Sequence, residues 1–367
     1  MQKDIRDLFS EVSDPRVVNR CSHKLSDILF IALSTLICNG EDFEDMVEFA
    51  HQRYDWLSTV LELPNGIPSH DTFNRVLQGI EPTALRECLS EDGQALLDTL
   101  NEKQISLDGK KLRGVSPGSK GNSGLYILSA WVSENSLCVG QTKVEDKSNE
   151  ISAIPALLDS LDIEGATVSI DAIGCQKAVA SQIVDRQAEY LLSLKKNQKQ
   201  TFEHVEDSFR FNDGTCFSEQ WEYDHGRYET RKCTLIKLGQ TEQKEEVYSQ
   251  WKDLRHLVRI QASRQNSQGT TYQTRYYLSN ATLSDPAYFN HLVRGHWSIE
   301  NRLHWHLDVT FGEDACRARS QNAPENLNVL RKIALQRITQ MKDKLSKKKR
   351  RYRASLNNGY LKQVLNI

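Results

Sequence analysis

The chain has 367 residues, 38% of them hydrophobic and 26% charged, with a formal net charge of −2. This is the balance of an ordinary soluble protein, long enough to bury a substantial core in two or three domains. The longest apolar run, Ile28–Cys38, is too short for a membrane span and contains Ser34 and Thr35.

The N-terminal stretch Met1–Asp7 has no signal-peptide pattern. The eight cysteines stand singly, with no CxxC pair, which argues against a structural zinc site and against a disulfide framework. A reduced cytoplasm is the expected location.

Residues 1–98 read as an all-α N-terminal segment. Leu25, Ile28, Leu29, Ala32 and Leu36 recur at helical spacing. A second helix is expected over Asp42–Glu62, stopped by Leu63-Pro64-Asn65-Gly66. Ser69 is a candidate N-cap for a helix whose apolar face is Phe73, Val76 and Leu77. The opposite face carries His70, Asn74, Arg75 and Gln78, side chains that match base edges in a major groove, so a helix-turn-helix reader is one reading. A surface helix with no partner is equally compatible.

Residues 99–198 switch to an α/β pattern. Strands are expected at Gln104–Asp108, Leu125–Val132, Leu137–Val144, Thr167–Asp171 and Tyr190–Leu194, with helices at Glu150–Leu161 and Gln176–Gln187. Three adjacent strands followed by alternating helix and strand suit an antiparallel meander extended by parallel crossovers. That is the plan of a ribonuclease-H-like core, in which the first and fourth strands lie side by side. Residues 199–285 read as an inserted β-rich segment, with strands over Glu219–Leu238, Leu254–Ser263 and Thr271–Leu278. Asp285-Pro286 then opens a long helix running through Glu300, and another helix is expected over Pro324–Leu345. Residues 346–367 form a basic C-terminal tail. From Arg331 onward there are twelve Lys or Arg and a single acid, Asp343. Such a run neutralises phosphates, or simply solubilises.

Three acidic positions carry the candidate chemistry. Asp108 and Asp171 each end an apolar run, and Glu300 lies in Arg294–Asp308, a segment with two Trp, three His and two acids in the thirteen residues from His296. Two strand-end aspartates and a helix-borne glutamate are a ligand set for a pair of Mg²⁺ ions, and such a pair cleaves phosphodiesters. Gly109 leaves room for a backbone, while Lys110, Lys111 and Arg113 can neutralise a phosphate. His296, Glu300, His304 and Asp308 are spaced by four, so neighbours share a helical face. Trp297, Trp305, Ile299 and Leu303 would pack that helix on the sheet. A zinc site at His296, Glu300 and His304 is the competing reading, although the segment is not an HExxH motif.

The segments Leu107–Gly114, Ser169–Gln176 and Gly295–Asp314 resemble those of bacterial insertion-sequence DDE transposases, in the branch that contains the H-repeat-associated proteins. The resemblance runs over nearly the whole chain. It implies a ribonuclease-H-like catalytic domain over 99–345 with Asp108, Asp171 and Glu300 as its metal triad. It also implies two Mg²⁺ ions, replaceable by Mn²⁺, with terminal inverted repeats and target DNA as partners. A homodimer in the synaptic complex and use at the nucleoid follow, with no membrane partner. Many related transposases carry Tyr, Arg and Lys around the glutamate where this chain has Val293, His296 and Leu307. Arg294, His296, Asn301 and His304 are the candidates here for DNA contacts, and a hairpin intermediate is left open. A structure-selective nuclease, an inactive DNA-binding relic and a zinc hydrolase are the alternatives.

Overall fold

A computed structural model describes residues 3–97, 99–115, 124–144, 150–212, 216–224, 227–267 and 269–367. The N-terminal helices are α1 (Ile5–Ser10), α2 (Leu25–Ile37), α3 (Phe43–Gln52), α4 (Tyr54–Leu57), α5 (His70–Gly79) and α6 (Pro82–Gln94). The helix expected over Asp42–Glu62 starts on time, with a capping box between Asp42 and Asp45, but breaks at Arg53. Ser69 caps α5 as read, accepting from Thr72 N at 3.3 Å.

The sheet strands are β1 (Gln104–Leu112), β2 (Leu125–Val132), β3 (Leu137–Val144), β4 (Thr167–Ile170), β5 (Glu189–Leu194), β6 (Cys216–Asp224), β7 (Arg227–Lys237), β8 (His256–Asn266) and β9 (Gly269–Ser279). They form one nine-stranded sheet in the order β3-β2-β1-β4-β5-β9-β8-β7-β6. β1 with β4 and β4 with β5 are parallel, and the other pairs are antiparallel. The β-rich segment is therefore an extension of the same sheet, joined through β9 to β5. Its first expected strand, Glu219–Leu238, is a hairpin. The helices after β3 are α7 (Glu150–Asp159), α8 (Lys177–Asp185), α9 (Lys199–Phe211), α10 (Glu246–Ser249), α11 (Pro286–His296), α12 (Ala323–Thr339), α13 (Lys347–Leu356) and α14 (Asn358–Leu365). The sequence pattern missed α9, whose apolar face (Val205, Phe209) is short and set among charged residues.

Side-chain alternation puts Ile105, Leu107, Val168 and Ile170 on one face of the sheet, against Ile154, Leu158, Val179 and Ile183 of α7 and α8. The opposite face of β1 and β4 is polar, and α11 crosses it closely. Gln104 donates to Ser169 Oγ at 2.9 Å and to the Leu292 carbonyl at 2.7 Å. Ser133 donates to the Gly295 carbonyl at 3.0 Å. The N-terminal helices, α12 to α14 and the chain after Trp297 share one apolar core, which Trp131 and Cys138 of the sheet enter. Among the described residues no helix is long and apolar enough to cross a membrane.

The segment read as a basic tail is helical and packed. Arg350 donates to the carbonyls of Ile338 and Thr339 at 2.7 and 3.1 Å, and Arg351 donates to that of Leu36 at 2.7 Å. These guanidiniums close the C-terminal ends of α12 and α2, where cations are favourable.

A side chain at Gly295 would place its Cβ 2.0 Å from Gln104 Oε1, in a site where Gln104 is buried and tied on both sides of its amide nitrogen. Gly295→Ala is expected to cost about 2 kcal/mol, read from the denaturant midpoint. Gln104→Ala in the same chain should recover part of it.

Candidate active site

The sheet register sets the site. Parallel pairing of β1 with β4 ends at Leu107 and Ile170, so Asp108 and Asp171 are the next residues on adjacent strands. β1 does not stop at Asp108 as the sequence pattern suggested. It continues to Leu112 because β2 pairs with it over its whole length. Asp108 thus sits inside a strand, at the point where its other neighbour peels away. Both aspartates have the parity of Gln104, Ser106 and Ser169, and so face the α11 side. Asp171 Oδ1 accepts from Ile173 N at 3.1 Å and Gly174 N at 3.4 Å, which fixes its carboxylate against the turn that follows.

Glu300 arrives from the helical side. Asp285 caps α11 as expected, accepting from Ala287 N at 2.9 Å. Beyond His296 the helix widens into two π-helical turns, Glu300–His304 and His306–Thr310. Hydrogen bonds to the fifth residue replace those to the fourth, and His296, Glu300, His304 and Asp308 all turn toward β1 and β4, with His296 at Ser169, His304 at Asp108 and Asp308 at Lys110. Ile299 and Leu303 are buried as expected, whereas Trp297 and Trp305 are 37% and 50% exposed.

Asp108, Asp171 and Glu300 line a single cavity of about 630 Å³, together with His296, Arg275 and Trp297. Burial, then the charges of Asp171 and Glu300, push the Asp108 carboxyl up to about 8. Burial also raises Glu300, against the pull of Arg275. Among the described residues no three His, Cys, Asp or Glu side chains are close enough together to hold one metal ion, which applies to the His296, Glu300 and His304 set as well.

The two histidines turn inward. His296 Nδ1 lies 3.1 Å from Ser169 Oγ, and His304 Nδ1 lies 3.5 Å from Asp108 Oδ2. Burial pushes His296 down to about 4, and burial with Lys332 and Lys110 pushes His304 to about 3. Both are neutral at physiological pH, so neither offers a cation to a phosphate.

The remaining sequence candidates divide. Lys110 is turned inward, 2.6 Å from Asp308 Oδ1 and 2.5 Å from Glu313 Oε2, with only 10% of its side chain exposed. It fastens β1 to the segment that follows Glu300. Lys111 lies over the Tyr126 ring at 5.4 Å. Arg113 is open, 81% exposed, with Asp314 at 3.9 Å. Arg294 pairs with Glu222, and Asn301 is exposed and donates to the Trp297 carbonyl at 3.4 Å. Asn74 accepts from Gln78 at 2.6 Å, and Arg75 donates to the Asp71 carbonyl at 3.3 Å. Both lie on α5, which packs on α2, α3 and α12 rather than on the cavity. The space above Gly109 is filled by Glu150, whose Oε1 would be 2.7 Å from an added Cβ. Glu150, at the start of α7, and Arg275, on β9, were missed in the sequence, because each reaches the site only through tertiary packing and carries no local motif.

Residues 100–337 match a family model described as "Transposase DDE domain", and residues 6–91 match one described as "DDE_Tnp_1-associated". The chain belongs to the DDE transposase family. It is 36% identical to "Putative transposase YncI" of Escherichia coli O157:H7, over 99% of this chain and 94% of that protein. It is 33% identical to "H repeat-associated putative transposase YhhI" of Escherichia coli (strain K12), over 99% of this chain and 98% of that protein. DDE transposases act on DNA and generally use divalent metals.

Two outcomes follow. Lys110→Met leaves Glu313, 2% exposed, without its main counter-charge and should destabilise the protein by about 3 kcal/mol in chemical denaturation. An exposed phosphate-contacting lysine would show no such loss. For Asp108, the folded protein keeps a proton that the unfolded chain releases, because its carboxyl is raised from 3.8 to about 8. Stability therefore falls as pH rises through that window. Without divalent ions, Asp108→Asn should raise the melting temperature by about a few degrees at pH 8 and much less at pH 5.

Proposed function

We propose that this chain is a DNA transposase with a ribonuclease-H-like catalytic core, in which Asp108, Asp171 and Glu300 hold the divalent cations. The observation that carries the reading is that these acids, far apart in sequence, line one cavity. The donor chemistry suits Mg²⁺, with Mn²⁺ as a substitute, because all three are hard carboxylate oxygens; as placed they do not form a cage around one ion, so binding has to draw them closer. The raised Asp108 carboxyl points the same way, since crowded carboxylates without a counter-charge favour a bound cation. Bound Mg²⁺ lowers the pKa of water and offsets the charge that builds on a phosphate.

This chain's residues do the positioning. The Asp171 turn and the β1–β4 pairing fix two carboxylates, and the π-helical segment brings the third. His304, neutral and beside Asp108, orients that carboxylate, and the Lys110 ion pairs hold the Glu300 segment to β1. Water attacks the phosphorus at the element end, the P–O3′ bond breaks, and a 3′-OH and a 5′-phosphate result. That 3′-OH then attacks a target phosphodiester and joins to it, releasing a target 3′-OH. No protein–DNA covalent bond is required, so no Ser or Tyr nucleophile is assigned.

The partners are terminal inverted repeats and target DNA, engaged by a homodimer that holds two ends. Residues 1–98 act as the DNA-binding domain, with Asn74 and Arg75 on the outer side of α5, and 99–345 as the catalytic domain. In the C-terminal segment, phosphate contact falls to the exposed Lys348, Lys349 and Arg353, since Arg350 and Arg351 are buried.

The test is incubation with Mn²⁺ and DNA carrying the element's own ends. Asp108→Ala, Asp171→Ala and Glu300→Ala should each reduce cleavage at least about 100-fold, since losing a ligand exceeds the usual effect of losing an outer-shell partner. DNA binding should be nearly unchanged. Cleavage retained in any one of them sinks the assignment. Joining of a pre-cut end to target DNA separates a transposase from a nuclease that uses the same site.

A further inference from the structure

A second cavity, of about 1080 Å³, opens beside the triad cavity and shares Gln273, Arg275, Trp297 and Glu300 with it. Its walls are α11 and the inner face of the β-extension. Alternate residues on adjacent strands point into it: Glu229 and Arg231 from β7, Arg264 from β8, Gln273 and Arg275 from β9. Arg294 comes from α11 and Arg302 from the π-helical segment. Five arginines thus converge on a groove that ends at Glu300.

Three of them are held by two glutamates. Arg231 Nη2 donates to Glu229 Oε2 at 2.7 Å, and Arg264 Nε donates to Glu229 Oε1 at 2.8 Å. Glu222 Oε2 lies 3.6 Å from Arg231 Nη1, and Arg294 reaches across from α11 to Glu222. Arg264 and Arg294 are 54% and 49% exposed. An ion pair as open as Arg294 with Glu222, the glutamate 33% exposed, contributes about 0–1 kcal/mol, so exchanging its anion costs little, whereas Glu229 is 12% exposed and more firmly held. The planar guanidinium fork fits a carboxylate and a phosphate in the same geometry. Arg275 stands where the two cavities meet, its guanidinium 4.3 Å from the centre of the Trp297 ring.

We propose that this groove receives the phosphate backbone of a DNA strand leading to Glu300, and that Glu222 and Glu229 occupy the phosphate positions until DNA displaces them. The inference rests on the transposase reading, because only a nucleic-acid substrate puts a run of phosphates beside the triad. Bracing pairs that merely stiffen the β-extension would behave in the opposite way: removing the glutamates would loosen the groove and weaken binding.

The experiment measures affinity of the full chain for a fluorescein-labelled oligonucleotide carrying the element's end, by anisotropy without divalent ions over a salt series. Glu222→Gln, Glu229→Gln and the double variant should bind about threefold to tenfold more tightly than the parent at low salt. Arg264→Ala and Arg294→Ala should bind more weakly, each lowering the slope of log affinity against log salt by about one. Melting curves accompany every variant. Folded glutamine variants that bind no more tightly than the parent overturn the proposal. If a glutamine variant unfolds, the arginine variants decide, and unchanged affinity in both overturns it. Mn²⁺-dependent cleavage by the parent chain is scored in parallel. Cleavage with unaltered glutamine-variant affinity defeats the groove alone, and loss of cleavage by the parent defeats the triad reading.

Discussion

Helix α12 is buried on every side although half of it is polar, and the constraint this imposes organises the molecule. A buried polar group without a partner costs about 1–3 kcal/mol, more if charged. Each polar side chain of α12 therefore has to reach a different part of the chain. Glu325 takes Arg86 of α6, and Asn326 donates to the carbonyls of Leu77 and Ile80 at 2.8 and 2.9 Å. Asn328 donates to Glu313 at 2.7 Å. Lys332 donates to Ser129 and Gln141 of the sheet at 2.7 Å each, and Gln336 accepts from Cys138 N at 2.9 Å. Arg337 and Asp92, wholly buried, pair at 2.6 Å, and Arg337 also donates to the Leu365 carbonyl at 2.6 Å. Apolar packing alone would tolerate sliding of the helix. These contacts fix one register between N-terminal helices, sheet and C-terminal helices.

That register reaches the carboxylates. Ser129, which holds Lys332, is the β2 residue directly opposite Asp108. Glu313, which Asn328 holds, is a partner of Lys110, two residues beyond Asp108 on the same face. The aspartate is thereby bracketed by buried lysines that add to the burial keeping His304 neutral but are engaged with other partners. Burial and its nearest like charges, Asp171 and Glu300, hold its carboxyl raised. A fold that sets carboxylates in this way carries a local electrostatic cost, which the divalent cations of the proposed function offset.

How much of this was legible depended on the range of the interaction. Strands β2 and β3 could be read to the residue, because their apolar runs are bounded by turn residues and their pairing is local. The Asp285 and Ser69 caps were legible for the same reason. The end of β1 was not, since its last residues are held by β2 rather than by their own apolarity. The π-helical turns were invisible, because a four-residue spacing of His and acid reads as an ordinary α-helix, and the widening lies in the backbone over Glu300–His304 and His306–Thr310. Lys110 illustrates the same limit. A lysine two residues after a catalytic candidate reads as a phosphate contact, and nothing nearby in sequence discloses Glu313.

The charge distribution makes the same point about function. The net charge is −2, and the only dense basic run lies near the C-terminus. Arg331, Lys332, Arg337, Arg350 and Arg351 are all buried and committed to internal partners. A DNA-handling protein built this way cannot draw its affinity from a free cationic tail alone. Five guanidiniums line the groove beside Glu300, where Glu222 and Glu229 cancel much of their field at long range. Screening of that kind weakens indiscriminate attraction to phosphate while leaving short-range, geometry-dependent contacts intact once a backbone is aligned. For a protein that acts on DNA at chosen sites, as proposed above, low non-specific affinity is as useful as high specific affinity.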